Sequence, residues 1–297
     1  MRNLLTEMKI GLMVSGGLGF DMLLDIFKGN HISAILTDHN SDAITNFAKG
    51  EKIPAFIGNP RKGRAREFIE KHPIDLLLSI NYLFIIESDL INWASKASVN
   101  FHGSLLPKYR GRTPHVWAII NNESETGVTA HFITAGCDEG DIIDQVIIPI
   151  DTNDTGADIL NKYREAYPQL LDKVLEEFKK AEVLGLKQDE SKATYFGKRT
   201  PDDGLINWDW QKERIYNWVR AQAHPYPGAF SFLRGEKIII DQVAYDDFGY
   251  HQDQSNGLIL TRNPVRVKTP NGVLQLLSVR QGLEIIEIHD ILEANEN

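Results

Sequence analysis

The chain has 297 residues, 42% hydrophobic and 25% charged with 23 Gly and 12 Pro, an ordinary globular composition and enough length for a main domain with a smaller companion. A formal net charge of -9 gives no sequence-independent attraction to phosphate backbones, so a nucleic-acid partner is disfavoured. The one cysteine, Cys137, excludes an internal disulfide and, without clustered His or Cys, a zinc site; a reducing cytoplasm fits.

At the N-terminus, Leu4 and Leu5 are followed by Glu7 and Lys9, which leaves no signal-peptide core, and no apolar run is long enough to span a bilayer. A cytoplasmic protein with no membrane partner is expected. Short apolar runs then alternate with amphipathic stretches, at 9–14, 19–28, 32–37 and 42–49, the signature of βαβ units and a mostly parallel sheet. Strand-like runs at 75–80 and 97–102, around a helical pattern at 87–94, extend it into a doubly wound α/β sheet. Two further strands are expected at 126–134 and 142–150, and a long helix at 154–181 closes the main domain. The polar stretch before Gly204 lacks any period and reads as a connector. Beyond it come one helix, at 211–221, and short strands at 235–244, 257–261, 264–269 and 272–279, the spacing of a small β-barrel or sandwich. The expected organisation is a main domain over 1–185, a connector over 186–204 and a β domain over 205–297.

The chemistry-bearing cluster is Asn100-Phe101-His102-Gly103-Ser104-Leu105-Leu106-Pro107-Lys108-Tyr109-Arg110-Gly111-Arg112, with Gly136-Cys137-Asp138-Glu139-Gly140-Asp141 downstream. Side chains in a strand alternate faces, so Asn100 and His102 project to one side at the strand's carboxyl end, where open α/β sheets bind ligands. An amide N–H can donate to the oxyanion of an acyl-transfer intermediate, and an imidazole can take a proton from an attacking amine or polarise the carbonyl. A nearby carboxylate would orient that imidazole, and Asp138, Glu139 and Asp141 are the candidates. A hydrogen-bonded structural histidine is the competing reading.

The runs NFHGSLLPKYRG and TGVTAHFITAGCDEGDII resemble the signature of the folate-dependent formyltransferase family, which includes methionyl-tRNA formyltransferases, glycinamide ribonucleotide transformylases and sugar N-formyltransferases. The resemblance covers nearly the whole chain. It implies a Rossmann-like catalytic domain followed by a small OB-like barrel, catalytic roles for Asn100, His102 and Asp138, and 10-formyltetrahydrofolate as co-substrate. It also implies that the donor lies between the segment Asn81, Tyr82, Leu83, Phe84, Ile85 and the loop holding Ala135, Gly136, Asp138 and Asp141, with Leu105 as a further wall. Core packing is the competing reading for Phe84 and Ile85.

Within the family, methionyl-tRNA formyltransferases carry a basic insertion after the second strand. Here Thr37-Asp38-His39-Asn40-Ser41-Asp42 runs directly into a helix with no Lys or Arg. The glycinamide ribonucleotide enzymes lack a counterpart of the last hundred or so residues, a length of about one small domain. The stretch from Arg110 through Arg112, Thr113, Pro114 and Trp117 is similar to the sugar enzymes, which implies that Arg110, Arg112, Thr113 and Pro114 border the acceptor together with Ser15, Gly16, Gly17 and Ser104. Arginine suits a diphosphate because its planar fork bonds two oxygens, although a loop-bracing ion pair is the competing reading. The expected reaction is formylation of a nucleotide-linked amino sugar, of the 4-amino-4,6-dideoxyhexose type, in cell-surface glycan synthesis by a homodimer. The alternatives are methionyl-tRNA formylation and a catalytically silent folate or sugar-nucleotide binder.

Other features carry less. Val14-Ser15-Gly16-Gly17-Leu18-Gly19 does not fit the dinucleotide fingerprint, so NAD is not expected. The nine histidines show no metal spacing, so no metal cofactor is expected. Cys137 beside Asp138 is a poor nucleophile. Trp208, Trp210 and Trp218 read as core or as a subunit contact, and the turn from His224 to Ala229 as structural.

Overall fold

The computed structural model describes residues 8–180 and 183–294. The expectation on Leu4, Leu5 and Glu7, and position 181 of the expected long helix, lie outside them. The chain forms two compact units that interleave along the sequence, one of residues 1–111, 127–148 and 162–195, the other of 112–126, 149–161 and 196–297.

The first unit begins β1 (Lys9–Val14), α1 (Gly16–Phe27), β2 (His31–Thr37), α2 (Asp42–Gly50), β3 (Ala55–Ile57), α3 (Arg66–Lys71), β4 (Ile74–Ile80), α4 (Ser88–Ile91) and β5 (Ala94–His102). The chain continues through β6 (Arg110–Gly111), α5 (Pro114–Ile120), β7 (Glu125–Phe132), β8 (Ile142–Pro149), α6 (Gly156–Lys180) and β9 (Tyr195–Phe196). Among the described residues, seven strands form one sheet in the order β3-β2-β1-β4-β5-β7-β8. The pairs from β3 to β5 are parallel, and β7 runs antiparallel to β5. Parallel strands covered on both faces read as unbroken apolar runs, and Ile10, Leu12, Met13, Val14, Leu76, Leu77, Leu78 and Ile80 are all fully buried. From β1 the chain moves one way to β2 and β3, then returns to place β4 and β5 on the other side, so the topological switch lies between β1 and β4. Ligands of open α/β sheets bind outside the carboxyl ends at such a point, and there Ser15–Gly17, the segment 81–85 and the end of β5 emerge.

The expected helix at 87–94 is one turn, α4, because β5 starts at Ala94 to pair with Ile74 on β4. The long helix is present as α6. Its buried Tyr163, Ala166, Tyr167, Leu170, Leu171, Val174 and Phe178 recur at helical spacing on one face.

The second unit is built on α7 (Lys212–Ala221) and an antiparallel sheet of β10 (Ala229–Leu233), β11 (Glu236–Asp246), β12 (Ile259–Arg262), β13 (Val265–Thr269) and β14 (Gly272–Gln281), in the order β10-β11-β14-β13-β12. β10 is a strand that the sequence reading did not place. Both edge strands are covered by the chain's own tail: Phe232 exchanges hydrogen bonds with Glu293 at 2.8 and 3.0 Å, and Ile259 N donates to Asp290 O at 2.8 Å. One segment bridging β10 and β12 closes the sheet into a small barrel and removes its open edges. Trp208 and Trp218 are core residues whose indole N–H groups reach Ser231 Oγ at 3.0 Å and Gly204 O at 3.1 Å, and Trp210 packs edge-on against Trp218.

His115, on α5, is buried in this unit with Nε2 2.7 Å from the Tyr226 hydroxyl, and burial pushes its imidazole down to about 4. An unfolded histidine titrates near 6.5, so neutral His115 contributes stability that is complete above that value and is lost as pH falls toward 4. The loss should amount to roughly 3 kcal/mol at about 1.4 kcal/mol per pK unit. Denaturant titrations between pH 7 and 4 should show this decline, and His115→Phe should flatten it.

Candidate active site

Asn100 and His102 occupy alternate positions at the end of β5, and the β5–β7 register sets Asn100 opposite His131 and His102 opposite Thr129. The loop after β7 returns Asp138 to the same place. Asn100 Nδ2 lies 3.5 Å from Asp138 Oδ1, and His102 Nδ1 lies 3.6 Å from Asp138 Oδ2. Amide and imidazole thus converge on the carboxylate of Asp138, whose side chain is 14% exposed.

Each partner settles the orientation of the next. His102 Nε2 is 2.8 Å from the Tyr109 carbonyl oxygen, which can only accept, so Nε2 carries the proton. Nδ1 is therefore the nitrogen left for proton traffic, and it stands beside a carboxylate oxygen. The Asn100 atom facing Asp138 also faces His131 Nε2 at 3.1 Å, and both neighbours are acceptors, which identifies it as the NH2 group.

Burial would raise the Asp138 carboxyl. The pull of His102 and the Gly111 N–H, 2.9 Å from Oδ2, outweigh it and hold the group well below the usual carboxylate range. Asp138 is ionised at neutral pH. Its backbone has φ +54°, a left-handed conformation costly for a side-chain-bearing residue, and Asn81 and Tyr109 share it at +53° and +62°.

What holds the Asp138 loop lies in the stretch expected as a connector. Gln188 Nε2 donates to Asp138 O at 2.8 Å and to Gly140 O at 2.7 Å, while Gln188 Oε1 accepts from Arg110 Nε and Nη2 at 3.2 and 2.7 Å. Arg110, with 0% exposure, also bonds Glu190 at 2.7 and 3.0 Å and the Tyr195 hydroxyl. All five of its N–H groups are used. Arg110, expected beside an acceptor, is instead a brace, because no donor is left to offer a ligand. This is the competing ion-pair reading.

The other expected residues fall as follows. Ser104 is buried, its hydroxyl donating to Lys108 O at 2.7 Å to close the turn after β5, and Thr129 Oγ1 donates to Ser104 O at 2.6 Å. Leu105 packs against Gly127, where a Cβ would collide with it. Asn81 donates to Ser15 O at 2.9 Å, tying the turns after β4 and β1 together across the switch point. Tyr82 and Phe84 are half-buried, whereas Leu83 and Ile85 are 42% and 63% exposed, so core packing does not explain Ile85. Ala135 and Asp141 are exposed and Gly136 is half-buried on the Asp138 loop. Gly16, at φ +62°, donates its N–H to Ser41 Oγ at 2.9 Å, leaving Gly17 exposed at the start of α1. Arg112 is exposed, Thr113 adopts φ +50° with its hydroxyl buried, and Pro114 opens α5; these three belong to the second unit. Sequence reasoning missed His131 and Gln188. The available signal was the alternation of polar Thr129 and His131 with apolar Val128 and Ala130 along β7. Among the described residues no group of three His, Cys, Asp or Glu could hold a metal, and no helix is long and apolar enough to cross a membrane.

The structure is a mostly parallel α/β sheet that gathers an amide, an imidazole and a carboxylate at its carboxyl ends. The chain belongs to the formyl transferase family: residues 28–175 match the formyl transferase domain and residues 198–296 the formyl transferase C-terminal domain. It is 33% identical over 274 residues to the bifunctional polymyxin resistance protein ArnA of Wigglesworthia glossinidia brevipalpis, a match covering 89% of this chain. The chain spans 41% of that relative's length. Its fold is similar to WlaRD, a sugar 3N-formyl transferase determined with dTDP and 5-N-formyl-THF (TM-score 0.67, 22% identity, 93% of this chain and 99% of that one). It is also similar to the N-formyltransferase of Helicobacter canadensis determined with folinic acid and dTDP-3-aminofucose (TM-score 0.68, 21% identity, 92% and 99%).

The brace makes a direct prediction. Arg110→Met should orphan buried Gln188 and lower stability by about 1–3 kcal/mol, the cost of an unsatisfied buried polar group, as read by denaturant titration.

Proposed function

We propose that this chain transfers a formyl group from 10-formyltetrahydrofolate to the amine of a nucleotide-linked amino sugar, with Asn100, His102 and Asp138 as catalytic residues. The observation that carries the reading is the convergence of Asn100 and His102 on an ionised Asp138 in a chain of this family. The amine nitrogen bonds to the formyl carbon as the carbon–N10 bond of the donor breaks; the amine gives up a proton and N10 receives one. His102 Nδ1, beside Asp138 Oδ2, is the base that accepts the amine's proton, and the Asn100 N–H stabilises negative charge on the formyl oxygen. The exposed apolar Leu83 and Ile85, beside the carboxyl end of β4, suit the flat ring system of a folate, and the Asp138 loop supplies main-chain and carboxylate partners.

Support for a sugar acceptor comes from the turn between β2 and α2. It is the four residues Asp38–Ser41 with no Lys or Arg, on a chain of net charge -9, which offers a tRNA little phosphate neutralisation. The two solved relatives hold folates with dTDP or a dTDP-amino sugar, which favours a sugar nucleotide here too. Ser15, Gly16 and Gly17, on the first unit, are the proposed acceptor contacts. A 4-amino-4,6-dideoxyhexose acceptor, a role in cell-surface glycan synthesis in the cytoplasm and a homodimeric assembly complete the proposal.

Two measurements test it. Purified protein supplied with 10-formyltetrahydrofolate should formylate members of a nucleotide-amino-sugar panel; turnover of charged initiator tRNA alone would overturn the sugar acceptor. His102→Asn should lower kcat by about 10² to 10⁴ with donor affinity nearly unchanged, and an unaltered rate would remove His102 from the chemistry.

A further inference from the structure

Asn100 can serve an oxyanion only if its NH2 end points toward the reacting carbonyl, and an amide can sit either way round in the same envelope. Something must hold it. Asp138 Oδ1, 3.5 Å away, sits at the limit of a hydrogen bond and is too weak to fix the amide alone. The shorter contact is with His131, directly opposite on β7, whose Nε2 lies 3.1 Å from Asn100 Nδ2.

His131 can accept there only with Nε2 unprotonated, and the structure supplies the reason why it is. Its Nδ1 lies 2.9 Å from the Phe132 carbonyl oxygen, an obligate acceptor, so the proton of the neutral ring stays on Nδ1. The ring is 2% exposed on a strand, which removes its freedom to turn. Backbone carbonyl, imidazole and amide thus form one directional chain: Phe132 fixes the tautomer of His131, and His131 fixes the amide of Asn100. One amide hydrogen is committed to His131. The other, held only by the long contact to Asp138, is the one that can turn to an oxygen gaining charge.

We propose that His131 is a positioning residue that selects the orientation of the Asn100 amide required for transfer. The role rests on the formyltransferase reading for its consequence but not for its geometry, and the two are tested separately. In substrate-free protein labelled with ¹⁵N-histidine, NMR should report His131 as the Nδ1–H tautomer with an accepting Nε2; an Nε2–H tautomer would overturn the chain whatever the protein's substrate. In turnover, His131→Phe, which keeps the ring volume but offers no acceptor, should lower kcat about tenfold or more. KM for donor and acceptor should change less than about twofold. His131→Gln, whose carbonyl oxygen can accept from Asn100, should recover most of the lost kcat while unfolding at a midpoint no higher than that of the Phe variant. Equal losses in the two variants, or a loss that follows KM or thermal midpoint, would mean that His131 only fills space.

Discussion

The structure of the site depends on one largely buried anion. A carboxylate withdrawn from water is tolerated only when hydrogen bonds and positive partners replace its hydration. Asp138 receives the Gly111 N–H, the Asn100 amide and the pull of His102, and it is held well below the ordinary carboxylate range. The same contacts that stabilise the charge define the site. Each points a donor or a basic nitrogen at one small region, so the contacts that satisfy Asp138 electrostatically are also those that fix the directions of the Asn100 amide and the His102 ring.

That arrangement is anchored from beneath and from the side. The Tyr163 hydroxyl, from α6, donates to Gly103 O, and a Cβ at Gly103 would come within 2.7 Å of the Tyr163 ring, so glycine is required for the turn after β5 to rest on the helix. From the side, Arg110 grips Gln188, and Gln188 grips the backbone of the Asp138 loop. Strained left-handed residues persist only where their surroundings over-determine them, and Asn81, Tyr109 and Asp138 each lie in such a network. The likeness to solved sugar enzymes at 21–22% identity reports a shared fold.

The polar stretch after α6 shows how composition can mislead. Its charges and lack of period read as solvated linker, yet Gln188 and Glu190 supply acceptors to a fully buried guanidinium. A polar side chain looks the same in sequence whether it faces water or satisfies a buried group. Arg110 is the converse case. A guanidinium near a catalytic motif reads as a phosphate clamp, and only the positions of its partners reveal that all its donors are used.

By itself the sequence determined what is local and periodic: the apolar runs of the parallel strands, the long amphipathic helix, and the two-residue spacing that sends Asn100 and His102 to one face. Those follow from the geometry of a single strand or helix, which nearest neighbours dictate. The tertiary structure alone decided the pairings between distant segments: His131 opposite Asn100, Asp138 brought back between the imidazoles, Gln188 bonded to the backbone of its loop. Such contacts arise from sheet register and packing, where dozens of residues choose jointly and no short window of sequence records the choice.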